Sequence, residues 1–129
     1  MSDRPSRRLT VAVGFDGVLH QCVTYNYPFD PAKVLDPPVP GMLPWLIGLV
    51  HDSRFRVVIF SSRNGRPGGI GAMTEWLIDN GVSDEVLSQI DFPLQKPTAH
   101  VMISDRVLQF TGRPIDTDEI LEFRPWNRA

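Results

Sequence analysis

Residues 9–19, LTVAVGFDGVL, constrain this 129-residue chain more than any other stretch. A short apolar, β-branched run (Val11, Ala12, Val13) has the composition of a buried strand. It passes directly into Gly14-Phe15-Asp16-Gly17, a turn that carries one carboxylate. A strand, an acid at its carboxyl tip and a glycine turn specify an open α/β sheet, because ligands in such sheets bind outside the carboxyl ends of the strands.

The rest of the chain fits that sheet. Residues 20–40 (HQCVTYNYPFDPAKVLDPPVP) show neither helical nor alternating periodicity, and they bring Tyr25, Tyr27 and Phe29 close together. Loops longer than about 12–15 residues in compact domains are often functional. An apolar helix is expected over 42–51, with Pro44 tolerated in its first turn and Trp45, Leu46, Leu49 and Val50 at helical spacing. A second strand follows at 56–61, ending in Ser61-Ser62-Arg63 before a glycine-rich turn at 64–69. Residues 70–80 read as an amphipathic helix with Ile70, Met73, Trp76 and Leu77 on one face, stopped by Gly81 as a left-handed cap. One helical turn is expected at 84–89, a short strand or turn at 90–92, and a strand at 101–103 reaching Ser104-Asp105-Arg106. The tail offers an edge strand at 107–110, a turn at 112–114 and a short helix near 116–123. This alternation predicts a parallel sheet with helices on both faces.

Size and charge narrow the functions. The length suits one domain over 1–129, with a core at 9–123, a solvated tail at 1–8 and no separate cap domain. Arg4, Arg7 and Arg8 make that tail basic, but the net charge of −2 gives no electrostatic reason to expect nucleic acid or an anionic membrane as partner. The one cysteine, Cys22, excludes an internal disulfide framework and suits a reducing compartment. No apolar run approaches the roughly 20 residues that span a bilayer, and no signal core opens the chain, so a cytoplasmic location is expected.

Four short motifs, in order, resemble those of the haloacid dehalogenase (HAD) superfamily. VAVGFDGV matches motif I, hhhDxDG[TV], with Asp16 at the second acidic position and Gly14 at the first. Ser61 in VVIFSSR matches motif II, Lys96 in QKPTAHVMI matches motif III, and VMISDR matches motif IV, where a relative would show Asp-Asp-Arg. The likeness covers residues 9–112 and is similar to the small, cap-less members common in phage and bacterial genomes. It implies a three-layer, Rossmann-like parallel sheet with a minimal cap, in which residues 20–40 form the flap over the site.

The resemblance also implies roles. In the family the first Asp attacks phosphorus, the second is general acid/base, Ser/Thr and Lys bind phosphate, and carboxylates of motifs I and IV hold Mg²⁺. Carried over, Asp16 and Lys96 are the catalytic candidates, and Ser61, Ser62, Arg63 and Lys96 bind phosphate. Asp16 and Asp105 make a weakened Mg²⁺ site, because Gly14 supplies no nucleophile and Ser104 replaces a motif IV acid. The expected function is an impaired or inactive phosphohydrolase that keeps a pocket for a small phosphorylated ligand or anion. One alternative is a weak Mg²⁺-dependent phosphatase acting on a small phosphomonoester. Another is a non-catalytic protein-interaction module, supported by the aromatic flap and Trp126. Arg66 with Gly68-Gly69 adds a possible helix N-terminus to the site. His20 and Cys22 form an HxC pair with no second pair at zinc spacing, His51 suits a helix C-terminus, and His100 reads as structural. Trp45 and Trp76 are expected in the core.

Overall fold

A computed structural model describes residues 8–127. Arg4 and Arg7 lie outside the described residues, whereas Arg8 is exposed and donates to the Phe55 carbonyl at 3.4 Å. Four parallel strands, β1 (Leu9–Val13), β2 (Phe55–Ile59), β3 (Ile90–Asp91) and β4 (Val101–Ile103), form one sheet in the order β3-β2-β1-β4. Val11 aligns with Val57 on one side and with Val101 on the other, so β1 is central. Strand order runs outward from β1 in both directions. The carboxyl ends of β1 and β4 therefore flank a switch point, where open parallel sheets leave a crevice.

The helices are α1 (Met42–His51), α2 (Gly69–Asp79), α3 (Asp84–Leu87) and α4 (Thr117–Glu122). The β1-to-β2 and β2-to-β3 connections step the same way, and right-handed crossovers then put α1 and α2 on one face. The core agrees. Val11 and Val13 of β1 and Val57 and Ile59 of β2 share one cluster with Leu46 and Val50 of α1, Met73 and Leu77 of α2 and Val86 of α3. Ala12 and Val58 alternate to the opposite face and are equally buried. The β3-to-β4 connection, residues 92–100, carries the chain past β2 and β1 without a helix. Three strand spacings, about 14 Å, are within easy reach of a nine-residue extended chain. Its start is held by the Asn64 amide on the Pro93 carbonyl, and its end by the His100 amide on the Thr10 carbonyl. The helices that contribute to the core thus pack on one face, and α4 buries no residue.

Three expectations need correction. The core helices pack on one face of the sheet and not on both, since no helix joins β3 to β4. Residues 107–110 form no strand, because the chain leaves the sheet after Ile103 and Val107 and Phe110 stand exposed with no neighbouring strand. Trp45 is more than one-third exposed rather than core, since Leu43, Leu46 and Val50, at i, i+3 and i+7, are the residues that turn inward. Trp76 is buried as expected, and Gly81 takes the left-handed conformation that ends α2 (φ 100°). Among the described residues no helix is long and apolar enough to cross a membrane.

Candidate functional site

A cleft of about 320 Å³ opens at the carboxyl ends of β1, β2 and β4. β1 contributes Gly14 and Asp16 through the turn that follows it, β2 contributes Ser61 and Ser62, and β4 contributes Ser104, Asp105 and Arg106. The motif I, II and IV residues therefore meet at one edge. A Cβ on Gly14 would stand 3.0 Å from the Ile103 carbonyl oxygen and 3.2 Å from Val18 Cγ2, so a side chain at this position would be tight against β4 and the turn after β1. Gly17, at φ 79°, has the left-handed backbone that favours glycine, and a Cβ there would displace the Asp105 carboxylate.

Asp16 does not point a free carboxylate into this cleft. Arg63 grips it from both nitrogen positions of one edge, Nε to Oδ2 at 2.9 Å and Nη2 to Oδ1 at 3.1 Å, and His20 Nδ1 lies 2.9 Å from Oδ1. Arg63 is only 1% exposed, and its Nη1 donates to the Pro31 and Lys33 carbonyls at 2.9 Å each. Phe15 and Phe29 lie against its guanidinium, 5.7 and 5.0 Å from centroid to Cζ. The backbone N–H of Asp36 donates to His20 Nε2 at 3.0 Å, so Nε2 carries the lone pair and Nδ1 the proton that bonds Asp16. Asp36 in turn accepts from the Val23 and Thr24 amides at 2.8 Å and from the Thr24 hydroxyl, while its carbonyl accepts from Trp76 Nε1 at 2.9 Å. One network thereby joins the β1 turn to both ends of the flap.

Electrostatics follow from these bonds. Burial by itself would raise the Asp16 pKa, but hydrogen bonds from His20 and Arg63, with the guanidinium's charge, outweigh it and hold the carboxyl below its ordinary value. Burial pushes the same way at Asp36, where the Thr24 hydroxyl and the Thr24 and Val23 amides again bring the net shift down. Both carboxylates are held in the ionised form by partners within the fold, and Asp16 alone is paired with an arginine.

The sequence-predicted residues divide accordingly. Ser61, Ser62, Asp16, Gly14, Ser104 and Asp105 line the cleft. Arg63 faces a second hollow beneath the flap, and Lys96 is exposed and lines neither. Arg66 places its guanidinium 5.6 Å over the Phe29 ring. Arg106 and Asn127 line the cleft without having been singled out as ligand-binding residues. Asn127 arrives from the far end of the chain, its amide on the Gln21 carbonyl at 2.8 Å, beside Trp126, whose indole N–H bonds the Gly17 carbonyl at 2.7 Å. Asn64 was also missed. Its side chain accepts from Ser61 N and donates to the Ile59 and Pro93 carbonyls, fixing the end of β2.

The donor set fits a cation poorly. A hard ion such as Mg²⁺ takes six oxygens in near-ideal octahedral geometry. Here Gly14 offers no side chain, both Asp16 oxygens are bonded to Arg63, and Asp105 is the other carboxylate on the cleft. Asp16, His20 and Cys22 bring ligand atoms within 4.8 Å of one another. The proton on His20 Nδ1 and the N–H donated to Nε2 leave that imidazole no lone pair for a metal. Comparison of the chain with protein-family models, with curated proteins and with solved structures gives no match in any of the three.

Proposed function

We propose that this chain is a HAD-like domain, built on a Rossmann-like sheet with a minimal cap, that binds a small phosphate or similar anion without turning it over. One observation carries the reading: the single acid kept in the β1 turn spends both carboxylate oxygens on a buried arginine and a histidine, and the position two residues before it is glycine. An acid that serves as proton donor or nucleophile needs an oxygen facing substrate, within about 2.6–3.2 Å of the reacting group. Anion binding draws support from the cleft's other residues. Three serine hydroxyls, the Asn127 side chain and the Arg106 cation surround it, and Arg63 already balances the Asp16 charge. Hydrolysis assisted by Mg²⁺ through Asp16 and Asp105 is the competing reading, favoured by both carboxylates lining one cleft.

Titration with inorganic phosphate, followed by amide shifts in the full chain, tests this reading. Saturable shifts at Ser61, Ser62 and Ser104, with half-saturation at about 1 mM or below, are expected. Absence of shifts there removes anion binding, and Mg²⁺-dependent release of phosphate from a phosphomonoester removes the claim that the domain is silent.

A further inference from the structure

A second concavity lies beneath the flap, separate from the cleft in everything but their shared wall at Cys22. Two adjoining hollows there, of about 280 and 560 Å³, share Tyr25, Asn26, Tyr27, Phe29, Lys33 and Leu35. Tyr25 and Tyr27 are 79% and 77% exposed, with ring centroids 6.2 Å apart. Such exposure usually marks a loose loop, but this loop is tied on both sides of each ring. Asp36 holds the amides of Val23 and Thr24, Asn26 accepts from the Asp30 amide and donates to the Asp30 and Lys33 carbonyls, and Arg63 holds the carbonyls of Pro31 and Lys33. Phe29 is flanked by the Arg63 and Arg66 guanidiniums. The flap therefore spends its hydrogen bonds on presenting two tyrosines to water. Rigid tyrosines bring large amphipathic area at low entropic cost, which is how aromatic anchors in binding sites work.

Charge of both signs lines these hollows. The Asp36 carboxylate is turned onto the Val23 and Thr24 amides and the Thr24 hydroxyl, and Asp30, on the outer wall, keeps its charge with Oδ1 on the Ala32 amide at 2.9 Å. Arg63 is matched by Asp16. Lys33 lines both hollows as an exposed cation, and Arg66 stands behind Phe29. We propose that the flap is a binding site for a small aromatic anion, an aryl phosphate or aryl carboxylate, whose ring stacks on Tyr25 and Tyr27 and whose charge meets Lys33. The site stands apart from the anion reading of the cleft, and each can fail alone.

The test is an NMR titration of the full chain with 4-nitrophenyl phosphate in the absence of Mg²⁺, with phenol alone and inorganic phosphate alone as parallel arms. Saturable shifts at residues 24–27 and 33 are expected with the aryl phosphate, weaker ones with phenol, and none at these residues with inorganic phosphate. Tyr27→Ala should weaken binding by at least about fivefold, the loss that removal of one stacking ring gives. Lys33→Met should weaken the aryl phosphate and leave phenol unchanged. Both side chains face water, and tryptophan fluorescence confirms that the variants fold. Shifts confined to Ser61 and Ser104, no shifts at all, or undiminished affinity in a folded Tyr27→Ala protein would each overturn the proposal. The first of these outcomes would leave the cleft reading intact.

Discussion

Asp16→Ala is predicted to destabilise the protein, and the size of the effect can be worked from its partners. The substitution removes three bonds, two from Arg63 and one from His20, and strands a guanidinium that is 1% exposed with only the Pro31 and Lys33 carbonyls left to it. Removing one member of a fully buried pair costs about 3–5 kcal/mol. The Asp16 side chain is itself 23% exposed, so water can enter part of the vacated space, and the cost falls to roughly 2–4 kcal/mol. Urea unfolding at neutral pH, followed by tryptophan fluorescence, should show a midpoint lowered by about 1–2 M, given a typical slope near 2 kcal/mol per molar. Replacing the pair by apolar residues, Asp16→Leu with Arg63→Met, should recover most of that loss, because no buried charge is left unpaired. A midpoint for Asp16→Ala equal to or above the parent's would refute the argument. It would mean that the carboxylate is held against the fold's interest, as functional acids often are.

Further expectations come from the same contacts. Asp16 and Asp36 have native pKa values below their ordinary ones, so the unfolded chain takes up protons first as the pH falls; their stabilisation is complete above the ordinary carboxylate range and fades through and below about pH 4. Urea midpoints that stay flat or rise from pH 5 to pH 3 would contradict this. At the first residue of α2, a Cβ on Gly69 would sit 1.9 Å from the Arg63 carbonyl oxygen, whereas one on Gly71 meets nothing within 4 Å. Gly69→Ala should therefore lose well over 1 kcal/mol, while Gly71→Ala, inside the helix, should gain up to about 1 kcal/mol, both read from unfolding midpoints. Trp76→Ala opens a cavity and releases Asp36 from its indole bond, a loss of about 3–5 kcal/mol, against under about 1.5 kcal/mol for Trp45→Ala, whose ring is over one-third exposed. Equal losses for the two tryptophans would refute the assignment of which one is core.

Local patterns made some elements legible and left others hidden. α1 was readable to the residue because a proline near its start and apolar residues at helical spacing agree with each other. β1 and β4 were readable because short β-branched or apolar runs end in turns with acids. The meeting of Gly14, Asp16, Ser61, Ser104 and Asp105 followed once those strands were taken as parallel neighbours. What could not be read was pairing over distance. Arg63 sits 47 residues from Asp16, and nothing in SSR distinguishes a cation aimed at a ligand from one buried under Phe15 and Phe29. Asp36 lies among prolines without periodicity, so its role as anchor for Val23, Thr24, His20 and Trp76 has no local signature. The lack of a helix between β3 and β4 went against the expected helices on both faces, because strand alternation alone does not say which connections carry one. Asn127 reached the cleft from the far end of the chain, a contact that no spacing rule anticipates.

The central claim, that Asp16 holds the fold together and does not turn over substrate, is tested most directly by Mg²⁺-dependent hydrolysis of a generic phosphomonoester. The parent chain should be assayed beside Asp16→Asn, with both shown to be folded. Release of phosphate no faster than buffer for both proteins is predicted. A rate in the parent that Asp16→Asn abolishes would contradict the account and make Asp16 a working acid/base despite its arginine.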